Sequence, residues 1–294
     1  MTEHAAGAAR PWRTAVLAIL YGTALSLVGL LAYRGAPYYA TPLALRPHHP
    51  AFWKLKPGGT LGHPLGTAGS ALMVLMLLYS ARKRLRALSR LGRLASWLDF
   101  HIFCGVVGPL LVVLHSSFKV HGLVALSFWS MVAVAASGFL GRYLYAQIPH
   151  RQSGDAMSAQ EVQARQTELV ARLRDHHHLP AAELATIGRL SEPGRASRSL
   201  PALLVAMPLA EAALRWRLRG FRRRYRHLPL ELYRDLGDTM LQHALLRRRL
   251  LLWERTHRLF DYWHVLHKPF AAVMYLFLVL HVAVSLATGY GWMP

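Results

Sequence analysis

The 294 residues are 53% hydrophobic and only 17% charged, with a mean hydropathy of +0.22, more apolar and less charged than soluble domains. The net charge of +21 would suit a nucleic-acid surface, but the basic residues crowd into loops beside apolar runs, where membrane topology explains them better. One cysteine, Cys104, excludes an intramolecular disulfide and any zinc or iron–sulfur site ligated by several cysteines of this chain.

In chain order, Thr14 to Tyr33 runs twenty residues without a charge. At about 1.5 Å per residue that is enough to cross a hydrocarbon core of about 30 Å. It reads as a membrane span rather than a signal peptide, since no small-residue cleavage pattern appears in "RGAPYY". Residues 34–59, "RGAPYYATPLALRPHHPAFWKLKPGG", are rich in proline and aromatics and read as an ordered external cap. Four further spans are expected: Leu61 to Tyr79, Phe100 to Phe118, Ala125 to Tyr145 with Arg142 late in it, and Pro269 to about Ala287. Arg10 and Arg13 before the first span, and "ARKRLRALSRLGR" (Ala81 to Arg93) after the second, place the N-terminus in the cytoplasm by the positive-inside rule. The same rule puts "TGYGWMP", with interfacial Tyr290 and Trp292, on the external side.

Between the fourth and fifth spans lies a basic helical region expected in the cytoplasm, residues 146–260, with eleven of the fourteen acidic residues and twenty arginines. Ser158 and Glu161 have capping-box spacing at the start of a helical pattern. "SEPGRASRSLP" reads as a linker. "PALLVAMPLAEAALRW" is short for a span and carries Pro208 and Glu211, so a buried or interfacial helix is expected there. From Glu231 to Trp263 the pattern is simplest as one long helix that could continue into the fifth span. The expected fold is all-α: a membrane bundle of about five transmembrane helices, residues 1–145 and 261–294, with a helical cytoplasmic insertion before the last.

The chemistry lies in four histidines. His101 and His115 are fourteen residues apart in the third span, and His267 and His281 are fourteen apart in the fifth. Fourteen residues rise about 21 Å and return to within roughly 40° of the same helix face. Both spans run from inside to outside in the deduced topology, so His101 falls level with His267 and His115 with His281. Ionisable groups inside a membrane are costly and usually functional. Two stacked imidazole pairs are what two b-type haems need as axial ligands, whereas ligands about 21 Å apart cannot share one metal ion. Gly105 and Gly108, on roughly the face of His101, would leave room for a flat macrocycle or let helices approach closely. Arg142 and Lys119 are candidate partners for haem propionates, or simply snorkel to headgroups. His63, His121 and His264 read as packing or interface residues, and "DHHH", Asp175 to His178, as a solvated helix end.

On "HIFCGVVGPLLVVLH" and "HKPFAAVMYLFLVLH", the chain resembles the ferric reductase-like transmembrane domain superfamily, which includes NADPH oxidases and the haem-bearing membrane subunit of bacterial methionine sulfoxide reductase systems. The stretch "FWSMVAVAASGFLGRYLYAQIP" is also similar to bacterial membrane cytochromes of this broad type. The resemblance implies a dihaem b-type cytochrome of a bacterial inner membrane, with His101, His115, His267 and His281 as iron ligands. It implies electron transfer with a quinone, or with a flavin, iron–sulfur or cytochrome subunit as partner. The family's flavin and nicotinamide domains have no counterpart, since no G-x-G-x-x-G occurs, so no flavin or NAD site is expected in this chain. Other function classes compatible with the sequence are a self-contained quinone-linked or ferric reductase, and a haem-free membrane transporter or scaffold.

Overall fold

All five apolar runs are helical over stretches long and apolar enough to cross a bilayer, the second as two helices in succession. The structure, a computed structural model, describes residues 11–88, 90–150, 156–192 and 200–288. Arg10, Tyr290, Trp292 and most of the expected linker after Glu192 lie outside them. Among the described residues there are eleven α-helices and no strand. Leu27, Leu276 and Val279 are 55–67% exposed on the membrane-type helices, apolar surface that hydrocarbon accommodates and water does not.

The chain forms two compact units, residues 1–139 with 266–294, and residues 140–265. In the first, α1 (Pro11–Ala40) leads into a loop with a short helix, α2 (Phe52–Leu55). Buried Arg46 ties that loop down, donating to the carbonyls of Thr41 at 2.8 Å, Tyr39 at 2.7 Å and, across the sequence, Ser117. Ser117 Oγ in turn donates to the Leu55 carbonyl at 2.7 Å. The loop is therefore ordered, and its anchor is the end of α5 (Leu94–Ser116).

The second apolar run is two helices rather than one: α3 (Gly62–Leu75) and α4 (Leu77–Arg84), parted at Met76. α3 packs closely along α5 because small residues line its contact face. A Cβ on Gly69 would lie 2.9 Å from the Gly108 carbonyl, and one on Gly108 would lie 3.1 Å from the Gly69 carbonyl. Close backbone approach of this kind substitutes for the hydrophobic effect between helices in lipid. Sulfur-rich side chains fill the space further along: Met73, Met76, Cys104, Met131 and Met274 are all buried together with Leu278, in a core where unbranched thioethers adapt to irregular gaps. Met131 lies on α6 (Leu123–Gln147), and Met274 on α11 (Trp253–Ala287).

The second unit holds α7 (Ala159–Ala171), α8 (Ala181–Leu190), α9 (Leu200–Arg222) and α10 (Leu230–Leu251). Its core is leucine-rich, with Leu173, Leu179, Ile187, Leu214, Leu218 and Leu236 buried. The capping box is present: Glu161's amide donates to Ser158 Oγ at 3.2 Å, and Ser158's amide to Glu161 Oε2 at 2.8 Å. α9 is a helix that buries Met207 and Leu214 while exposing Leu209 and Trp216, and it is not among the helices apolar enough to span.

A second expected element also differs. The long helix from Glu231 breaks at Leu252, whose φ of −103° and ψ of 6° end α10, and the fifth span belongs to a separate helix starting at Trp253. At 35 residues that helix is about 52 Å long, well beyond a core of about 30 Å, so its polar first turns lie outside hydrocarbon.

Candidate functional site

His115 sits near the end of α5, and its position is set by two glycines of α3. Its Nδ1 lies 2.9 Å from the Gly62 carbonyl. A carbonyl only accepts, so Nδ1 carries the proton and Nε2 presents a lone pair. The ring comes this close because Gly66 has no side chain: a Cβ there would lie 2.5 Å from Nδ1. On its other side His115 faces His281 of α11, with ring centroids 6.4 Å apart and planes at 65°. Two imidazoles on opposite sides of one metal, each with a bond of about 2 Å, have centroids about 6 Å apart. The separation therefore suits a shared iron.

His101 is anchored in the same manner by a different device. Its Nδ1 lies 2.9 Å from the carbonyl of Met76, the residue at which α3 and α4 part. That break leaves the carbonyl with only a long bond from Tyr79's amide, at 3.3 Å, and so available to a side-chain donor. The ring of Tyr79 lies against His101 at 5.3 Å. His267 is held from α6. Ser137 Oγ donates to the Val134 carbonyl at 2.9 Å and so accepts from His267 Nδ1, 2.7 Å away.

Three of the four imidazoles thus direct Nδ1–H at an oxygen, the arrangement that fixes a ligating histidine's ring and tautomer. The rings of His115 and His281 face each other, while His101 and His267 are each positioned by partners of their own. Among the described residues, α5 and α11 lack the close backbone packing that joins α5 to α3, and they meet through side chains, Cys104 with Met274 and Leu278 in the methionine-rich core. The donor set and this spacing fit b-type haem ligation.

The other expected site residues are placed as follows. Gly105 faces open space apart from Met76 Sδ, 3.7 Å from where a Cβ would be. Pro109, four residues on, has no N–H to give the Gly105 carbonyl. Gly108 belongs to the contact with α3 described above. Lys119 is exposed, with Nζ 5.9 Å from the Phe52 ring centre. Arg142 falls in the second unit, exposed, with its guanidinium 5.8 Å from the Tyr145 ring centre. His264 points Nδ1 at the Phe260 carbonyl at 3.0 Å. The "DHHH" segment is not wholly solvated, since the His177 side chain is only 1% exposed. Reasoning from sequence passed over Gly62, Gly66 and Ser137. For the glycines a signal was present, the G-x-x-x-G of "GHPLG".

Compared with protein-family models, with curated proteins and with solved structures, the chain matches none. The functional reading therefore rests on the residues themselves.

Proposed function

We propose that this protein is a dihaem b-type cytochrome that carries single electrons across a bacterial inner membrane, as the resemblance to ferric reductase-like transmembrane domains implies. The observation that carries the reading is the ring-to-ring approach of His115 and His281 at 6.4 Å, with the proton of His115 committed to the Gly62 carbonyl. In this reading His115 and His281 ligate the outer haem, and His101 and His267 the inner one. Bound haem would supply the one-electron chemistry. The chain's own task is to hold rings and exclude water. Gly62, Met76 and Ser137 supply the oxygens that keep three imidazoles in the ligating tautomer. The methionine-rich cluster is buried and in this reading would keep water from the haem surroundings. With the N-terminus cytoplasmic, the basic second unit meets a flavin or iron–sulfur partner, or a quinol in the bilayer supplies the electrons. A cytochrome or other acceptor serves the opposite face.

The test is spectroscopic. Protein purified in detergent should give b-type bands in a reduced-minus-oxidised spectrum and two haems per chain. H115A or H281A should each remove one haem and leave the other. Protein purified from haem-supplemented cells that shows no b-type bands ends the proposal.

A further inference from the structure

In the second unit, α7 ends irregularly. Its last turn, Arg172–His176, widens so that His177's amide bonds the Arg172 carbonyl five residues back, at 3.2 Å. His178 then takes a left-handed conformation, φ 51°, and Leu179's amide closes on the Leu173 carbonyl at 3.0 Å. On a regular helix successive side chains diverge by about 100° and do not face a common point. Widened turns of this kind recur at functional sites. Here the rings of His176 and His177 lie 4.8 Å apart, and both meet Asp235 of α10. One donor atom from each of the three lies within 4.8 Å of the other two.

His177 is buried with Asp235 beside its Nε2 and nothing on its Nδ1. Its side chain is 1% exposed, and Nε2 is 3.0 Å from Asp235 Oδ2, yet neither ring nitrogen has a hydrogen bond of acceptable geometry. An imidazole buried without full hydrogen bonding is destabilising. Asp235 is meanwhile oriented by Arg172, whose Nη2 is 2.6 Å from Oδ1, and Oδ2 is turned to the histidines. Two imidazoles and a carboxylate are a common ligand set for zinc and similar divalent ions.

We propose that His176, His177 and Asp235 bind a divalent transition-metal ion of zinc type, with one coordination position left for water or an outside ligand. Tetrahedral bonds of about 2.0–2.2 Å place ligand atoms about 3.4 Å apart, so the site must contract on binding. Exposed His176 is the member free to swing in. The ion would pin the end of α7 to α10. This site is independent of the haem reading, since its residues all lie in the second unit.

The full chain, purified in detergent and stripped with chelator, is titrated calorimetrically with Zn²⁺, alongside the variants H176A, D235N and H178A. Co²⁺ substitution reports coordination through its visible d–d absorption. The expected result is one equivalent of Zn²⁺ bound by the wild type and by H178A, with affinity at least tenfold lower in H176A and D235N and the Co²⁺ bands lost. H176A changes an exposed side chain, so a folded variant is available. Equal Zn²⁺ binding in wild type, H176A and D235N overturns the site, as does an equal loss in H178A, which would signify loose binding by the histidine run.

Discussion

The two units use histidine in opposite senses. In the membrane unit, His101 and His115 give their Nδ1 protons to main-chain carbonyls and so turn a lone pair outward. In the second unit, His243 of α10, 3% exposed, takes a hydrogen bond at Nδ1 from the Gln166 amide nitrogen at 2.9 Å and spends its lone pair on packing α10 against α7. Burial, with Arg247 nearby, pushes its pKa down to about 4. The candidate ligand histidines are half-buried, whereas the structural one is fully buried. What tells their chemistry apart is whether the neighbour accepts or donates.

The largest effect should come from breaking the structural side of that contrast. Between pH 6.5 and about 4 the unfolded chain binds a proton at His243 that the folded chain refuses. Its contribution is therefore complete above pH 6.5 and is lost as pH falls toward 4, on the order of 3 kcal/mol in all. Thermal unfolding of the detergent-solubilised protein across this range should show the loss, and H243L should flatten it while lowering stability at neutral pH. The membrane side is broken next by G66V. Its Cβ would collide with the His115 ring, and moving α3 from α5 to relieve it should cost about 2–3 kcal/mol. Loss of one haem without loss of the other would place the damage at the His115 level. The smallest effect sharpens the comparison: S158A removes half of the capping box on α7 and should cost about 1 kcal/mol. Unfolding measured by hydrogen exchange should place that change in the second unit and leave the peptides around His115 unaltered.

Much of this was legible in the sequence, because period and length carry it. Long apolar runs give the five membrane-type helices, and Ser158 with Glu161 gives the start of α7. The fourteen-residue spacing singled out His101, His115, His267 and His281, and of these the rings of His115 and His281 face each other at 6.4 Å. Less visible were features that depend on a partner far away in the chain. The break at Met76 leaves the helical pattern of the second apolar run unchanged, and its meaning appears only when His101, 25 residues on, takes the freed carbonyl. Gly105 and Gly108 drew notice because they lie beside His101 in sequence, while the glycines that receive His115 lie in another helix. His177 looked solvated among neighbouring polar residues. Its burial beside Asp235 depends on a widened turn that no local propensity announces. The break at Leu252 has no proline or glycine to mark it.

Gly66 also bears on how the gene can vary. Every amino acid one base change away from a glycine codon brings a Cβ, and at this position any Cβ arrives 2.5 Å from the His115 ring nitrogen. The position therefore has no neutral missense neighbour. In a saturation library selected for function, codon 66 should tolerate silent changes alone, while Gly220, with open space where a Cβ would point, should accept alanine freely.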